Sequence, residues 1–139
     1  MIKTIAMSCA AYALFVGVAG ADQNVVGEYH GVYAFCKNQY PCDDEAFTRA
    51  RQRKNNIAVK IWQEDGQWKV RFSPPDHWTN FPWPTEAHFT EVTDNKIRFK
   101  VDRPNDHKTL DMEGTVTDGT FAGKILYNDY TMDGRLTRE

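Results

Sequence analysis

The chain has 139 residues, 17 of them basic and 19 acidic, for a formal charge of −2. That balance excludes the strongly basic footprint of a nucleic-acid binder, and the length suits one domain with its own core. No nucleic acid is expected among its partners.

Residues 1–21 place a lysine before an apolar run from Ile5 to Val18 and close on Ala19-Gly20-Ala21. This is the tripartite layout of a secretory signal peptide, and the run is shorter than the ~20 apolar residues that span a bilayer. The expected product is residues 22–139, a single secreted or periplasmic domain without stable membrane insertion. Cys9 leaves with the signal on this reading. The remaining pair, Cys36 and Cys42, reads as a disulfide in an oxidising compartment, pinning one short loop.

From residue 25 the chain alternates apolar and polar residues between turn signals. The first run, 25–35, puts Tyr29, Tyr33 and Phe35 on one face, with His30 on the other. Residues 43–54 are the one helical candidate, expected to make a turn or two. They include the basic run Arg49 to Lys54, which reads as a solvated face, with an anionic polysaccharide or a membrane surface as the functional alternative. Strands follow at 56–63, 67–73, 86–93, 96–102, 108–117, 120–127 and 131–138. Asp118-Gly119 marks a tight hairpin. The expected fold is therefore all-β, an antiparallel meander of about eight strands. Inward glycines at 27, 31, 114, 123 and 134 favour strong curvature, hence an up-and-down barrel over a two-sheet sandwich, although alternation is the same in both.

Connection lengths add a direction. The links after the second, fourth and sixth strands are tight turns, whereas 36–55, 74–85, 103–107 and 128–130 follow the odd-numbered strands. In a meander these two sets lie at opposite ends, so one end is closed by hairpins and the other is open and carries elaborate loops.

The opening stretch QNVVGEY resembles the first-strand motif of lipocalins and related calycins. Asn24, Val25 and Gly27 match it, and Tyr29 stands where that family has Trp. The resemblance implies an arginine from a late strand packing across this aromatic, a part open to Arg135 or Arg138. It also implies an eight-stranded barrel whose open end admits a small apolar ligand. The chain departs from the family in lacking the Trp and a C-terminal helix, and in being short. In length and helix-free pattern it is similar to avidin-like barrels, without their biotin-contacting motifs.

Catalytic chemistry is thinly supplied. Ser73 is the one serine after residue 21 and lies outside any nucleophile-elbow context, so a non-enzymatic protein with no cofactor is expected. Metal ligation has a minor case in Asp76-His77 and Asp106-His107, two loop pairs that the meander puts at one rim. The sharper feature is the loop SPPDHWTNFPWPTEAH, residues 73–88. Trp78, Phe81 and Trp83 follow neither strand nor helix period, and prolines stiffen the chain around them. They form either a plug for the open end or a rigid grip on a ligand or partner. The expected function is binding of a small apolar or aromatic ligand at the open end, through Trp78, Phe81, Trp83, His77, Tyr29 and Tyr33. A protein-protein interaction module using loop 74–85, such as an inhibitor of a secreted enzyme or an envelope-associated factor, is the alternative. The two differ in what they ask of Tyr29, Tyr33, Phe72, Phe99 and Ile125: ligand binding at the open end requires a hollow barrel around them, a docking protein a filled one.

Overall fold

A computed structural model describes residues 24–36, 40–79, 81 and 83–139. The expected signal peptide, with Cys9, lies outside them. The elements run β1 (Gly27–Phe35), α1 (Asp44–Gln52), β2 (Asn56–Glu64), β3 (Gln67–Ser73), β4 (Thr85–Glu86), β5 (Phe89–Thr93), β6 (Lys96–Asp102), β7 (Thr109–Thr117), β8 (Thr120–Tyr127) and β9 (Tyr130–Arg138). All pairings are antiparallel, in the order β4-β3-β2-β1-β9-β8-β7-β6-β5.

The two outermost strands of that order are successive pieces of one segment. Ala87 N donates to Val70 O on β3 at 2.8 Å, and the next residue's amide, His88 N, donates to Lys100 O on β6 at 3.0 Å. The sheet therefore curls into an open-sided barrel whose two edge strands are joined through Ala87 and His88. This handover from β3 to β6 divides the strand expected at 86–93 into β4 and β5. It also explains the poor alternation there, because the backbone changes partner at Ala87 and His88.

The helix is longer than a turn or two. Asp43 caps it, its carboxylate accepting from Ala46 N at 2.9 Å, with Asp44 and Glu45 in the first turn and Arg49 and Arg51 in the last. Ala46, Phe47 and Ala50 pack onto Val32 and Ala34, on the outer face of β1. Arg135 covers the other side of the Phe47 ring, its guanidinium 3.9 Å from the centroid. Phe47 therefore finds its apolar partners on a strand rather than along its own helix. The expected Cys36–Cys42 disulfide is present. Beside it, Asp133 on β9 is 4% exposed and accepts from Cys42 N at 2.9 Å; burial raises its pKa.

Inward residues of all the long strands join one core. Across it runs a row in register, Tyr33, Gly134, Gly123, Gly114 and Ile97. Three consecutive strands meet there with no side chain between them, which lets the sheet bend sharply.

The two ends differ as the link lengths require. Turns at Asp65-Gly66, Asp94-Asn95 and Asp118-Gly119 close one end, with Asp65, Gly66, Asp118 and Gly119 all at positive φ. Arg138 seals this end. Its Nη1 donates to Asn24 O at 2.6 Å and Val26 O at 3.1 Å, and its guanidinium lies 5.7 Å from the Tyr29 ring centroid. Of the two arginines open to that part, Arg138 packs across Tyr29 and Arg135 belongs to the helix.

Candidate functional site

At the open end the barrel mouth holds a cup of about 270 Å³. Its floor comes from the aromatic loop. Trp78 N donates to Pro75 O at 3.0 Å, a turn that carries the next side chains inward. Trp78 stacks on Tyr127 with centroids 5.3 Å apart and a 21° interplanar angle, and meets Tyr33 at 5.2 Å and Phe81 at 5.9 Å. Its Nε1 donates to Tyr33 Oη at 2.9 Å. Phe81 is buried against Phe72 and Tyr127. One part of the loop is thus a plug. Trp83 is not: it stays 58% exposed and borders a separate outer groove with Pro74, Pro75 and Pro84.

Below this floor the barrel is filled, so the hollow interior expected for a ligand-binding barrel is not found among the described residues, because the inward aromatics pack against one another. Tyr29, Tyr33, Phe72, Phe99 and Ile125 are each 3% exposed or less and belong to one contiguous core. Room for a ligand lies above them, at the mouth.

The cup also has a charged corner. Arg103, 7% exposed, donates from Nη1 to Tyr127 Oη at 2.7 Å. Its Nε donates to Asp106 Oδ1 at 2.6 Å and its Nη2 to Asp106 Oδ2, a bidentate pair. The guanidinium sits 5.6 Å from the Tyr127 centroid. Arg103 thereby fixes the ring on which Trp78 stacks. Hydrogen bonding to Asp106 raises the Arg103 pKa, and the same contact holds the Asp106 carboxyl down at about 2. Burial raises the Tyr127 pKa, opposed by Arg103.

A pH dependence follows. A carboxyl whose pKa is lower in the folded than in the unfolded state stabilises the fold above its unfolded pKa of about 4, and loses that contribution as pH falls toward its folded value. Melting temperatures measured from about pH 6 down to about pH 2.5 are expected to fall more steeply for the wild type than for Asp106→Asn, which cannot titrate. Parallel curves would show that the pair contributes nothing to acid stability.

The structure brings four of the six expected site residues to one cup: Tyr33, His77, Trp78 and Phe81. His77 Nε2 lies 3.4 Å from Tyr33 Oη. Tyr29 is at the opposite end, where it donates to Val25 O at 2.8 Å, and Trp83 faces outward. The metal candidates do not gather. Asp106 is occupied by Arg103, and His107 lies in the backbone of the same loop, its N donating to Arg103 O at 2.9 Å. Asp76 and His77 are exposed. Among the described residues, the side chains of metal-ligating type that cluster in a three are Glu28, His30 and Glu139, at the closed end.

No family model matches the sequence, and no curated protein is significantly similar to it. Among solved structures, the chain is similar in fold to secretory abundant heat soluble protein 4 from Ramazzottius varieornatus, at 13% identity over 91% of this chain and 99% of that one, with a TM-score of 0.45. It is also similar to a mutant of the fluorescent protein UnaG, at 11% identity over 84% and 97% of the two chains, with a TM-score of 0.46. The barrel assignment rests on the strand pairing described above.

The cup residues that sequence alone does not single out include Phe35, Arg103, Tyr127 and Tyr130. Phe35 and Tyr130 form one wall, their rings 5.7 Å apart, and Arg103 forms the corner. Phe35 and Tyr130 both flank open-end loops, which is the signal that points to them. Nothing local marks Arg103, since its burial depends on Tyr127 from another strand.

Proposed function

We propose that this is a non-enzymatic, secreted or periplasmic binding protein that holds a small, flat, apolar or aromatic ligand in the mouth cup. The observation that carries the reading is an aromatic floor whose rings are held in place by hydrogen bonds, Trp78 to Tyr33 and Arg103 to Tyr127. Rings fixed in advance lose little freedom when a flat ligand stacks on them. The cup volume suits one small molecule. The proposed ligand sits on the plug rather than inside the barrel.

The test is titration with 1-anilinonaphthalene-8-sulfonate, a flat aromatic probe, followed by its own emission and by tryptophan quenching. The double variant Phe35→Ala/Tyr130→Ala is expected to weaken binding about tenfold, two aromatic contacts' worth. Its melting temperature should stay unchanged, because Phe35 and Tyr130 are 45% and 60% exposed. Equal affinity in the variant would sink the cup as the binding site.

A second reading has its own support. Among the described residues, Phe35, Tyr40, Trp83, Phe89, Leu126 and Tyr130 are the exposed large hydrophobics, and all six lie at the open end. An apolar rim of this kind suits a protein partner. It predicts that Trp83→Ala abolishes co-purification of that partner while probe binding in the cup persists.

A further inference from the structure

The basic run at the end of α1 does not stand alone. Arg53 and Lys54 line a surface groove of about 480 Å³ together with His30, Asn56, Ala58 and Ser73. This groove opens onto the outer face of β1, β2 and β3, where His30 pairs with Ala58 and Ala58 with Ser73. Two residues further along the strands Lys60 pairs with Arg71, and two further still Trp62 pairs with Lys69. At strand rise these rows extend roughly 13 Å beyond the groove. Trp62 sits among the cations: Lys60 Nζ is 5.5 Å and Arg71 Cζ 5.3 Å from its ring centroid.

Carboxylates also stand along this path, and one of them, Glu86, lies opposite Arg71 in register. Lys69 pairs with Glu86 at 3.5 Å, and Trp62 Nε1 donates to Glu64 at 3.3 Å. Asp76 borders the groove, and Glu28 stands opposite Lys60 in register. Arg53, Lys54, Lys60 and Arg71 make no ion pair among the described residues. A chain of net charge −2 thus keeps four cations outside ion-pair distance of a carboxylate on one face, two of them with a glutamate opposite in register.

We propose that this outer face binds an extended polyanionic polysaccharide, with Trp62 stacking on a sugar ring and Arg53, Lys54, Lys60 and Arg71 receiving its carboxylate or sulfate groups. A cation path gives attraction that any polyanion feels. One aromatic set between two cations adds a contact suited to a ring that carries charged substituents at its edge. Single-stranded nucleic acid is favoured where several aromatic platforms follow one another, and this face has one. An anionic membrane surface would feel the same cations, but stable attachment gains from apolar insertion, and among the described residues the exposed large hydrophobics sit at the open rim instead. The groove shares His77 with the mouth cup, but none of the residues varied in either test lines both, so the two proposals are tested independently.

The test uses full-length mature protein with four probes: heparin, polygalacturonate, an oligothymidylate, and phosphatidylserine vesicles. Heparin or polygalacturonate is expected to bind, with affinity dropping steeply between about 50 mM and about 200 mM salt. Lys60→Glu/Arg71→Glu and Arg53→Glu/Lys54→Glu should each weaken that binding at least about tenfold, as expected when phosphate-like contacts of a salt-dependent site are lost. All four positions are exposed, so melting temperature should not change for Lys60→Glu/Arg71→Glu, whereas Arg53→Glu/Lys54→Glu places acid at the C-terminal end of α1 and should lower it slightly. Trp62→Ala should weaken polysaccharide binding while retaining its salt slope. Absence of glycan binding at low salt, equal affinity in the charge-reversal variants, or tighter binding of the oligothymidylate or the vesicles than of either glycan would each overturn the assignment.

Discussion

Trp78→Ala is expected to destabilise the protein by about 3 kcal/mol, within the range for removing a large aromatic from a packed site, while Trp83→Ala leaves stability within about 0.5 kcal/mol of wild type. The difference follows from what each ring touches. Trp78 contacts Tyr33, Phe72, Phe81 and Tyr127 and donates to Tyr33 Oη. Its loss opens the plug, uncovers Phe72 and Phe81, and leaves a buried hydroxyl without its donor. Trp83 is 58% exposed and lies outside the core cluster. Urea unfolding of both variants, followed by circular dichroism, measures the contrast. Equal destabilisation would mean that the loop packs as one unit; no loss in Trp78→Ala would mean that the plug does not hold the open end shut.

Gly123→Ala is expected to cost about 3 kcal/mol, at the upper end for overpacking a core, and to reduce the yield of folded protein. A Cβ there would stand 2.4 Å from Glu113 O and 2.6 Å from Gly114 Cα. Both are backbone atoms of the paired strand, so relief requires opening the β7–β8 ladder. Gly134→Ala is the informative comparison. Its Cβ would meet Ile125 Cδ1 and Met112 Cε at 3.1 Å each, side-chain ends that can rotate away, and about 1 kcal/mol is expected. Thermal melts of the two variants should keep that order. If Gly134→Ala were the worse of the two, core volume rather than close strand approach would govern the glycine row.

These expectations rest on features of differing visibility in the sequence. Strand alternation shows because period two is written into each strand: Ile57, Val59 and Ile61 recur at every second position along 56–63 and so share one face. Turn positions show because Asp-Gly at 65–66 and 118–119 supplies residues that tolerate positive φ. The break in 86–93 is faintly visible as lost alternation. Its cause is invisible, because it takes β3 and β6 both to be in place before Ala87 and His88 can bond to different strands. The full length of α1 is hidden in the sequence for a similar reason. Phe47 looks stranded along its own helix and finds its partners on the outer face of β1, where Val32 and Ala34 wait at positions that alternation assigns to solvent.

The candidate site divides the same way. Its location at the open end follows from link lengths, a property of the chain alone. Which aromatics form it does not. Tyr29 and Tyr33 lie four residues apart on one face of β1, yet a strand of that length carries them toward opposite ends of the barrel, so one is sealed under Arg138 while the other reaches the cup. Trp78, Phe81 and Trp83 share one loop and one composition. The turn at Pro75 to Trp78 and the stacking surface of Tyr127 bring two of them down and leave Trp83 outside. The sequence by itself determined the all-β meander, the two unlike ends and the disulfide loop, because these depend on neighbours along the chain. Tertiary structure alone decided that the barrel is filled, that the cup stands on its plug, and that the basic helix end continues into the Lys60 and Arg71 face. Each of these depends on residues far apart in sequence meeting across strands, where burial and charge are set by the partner rather than by the residue itself.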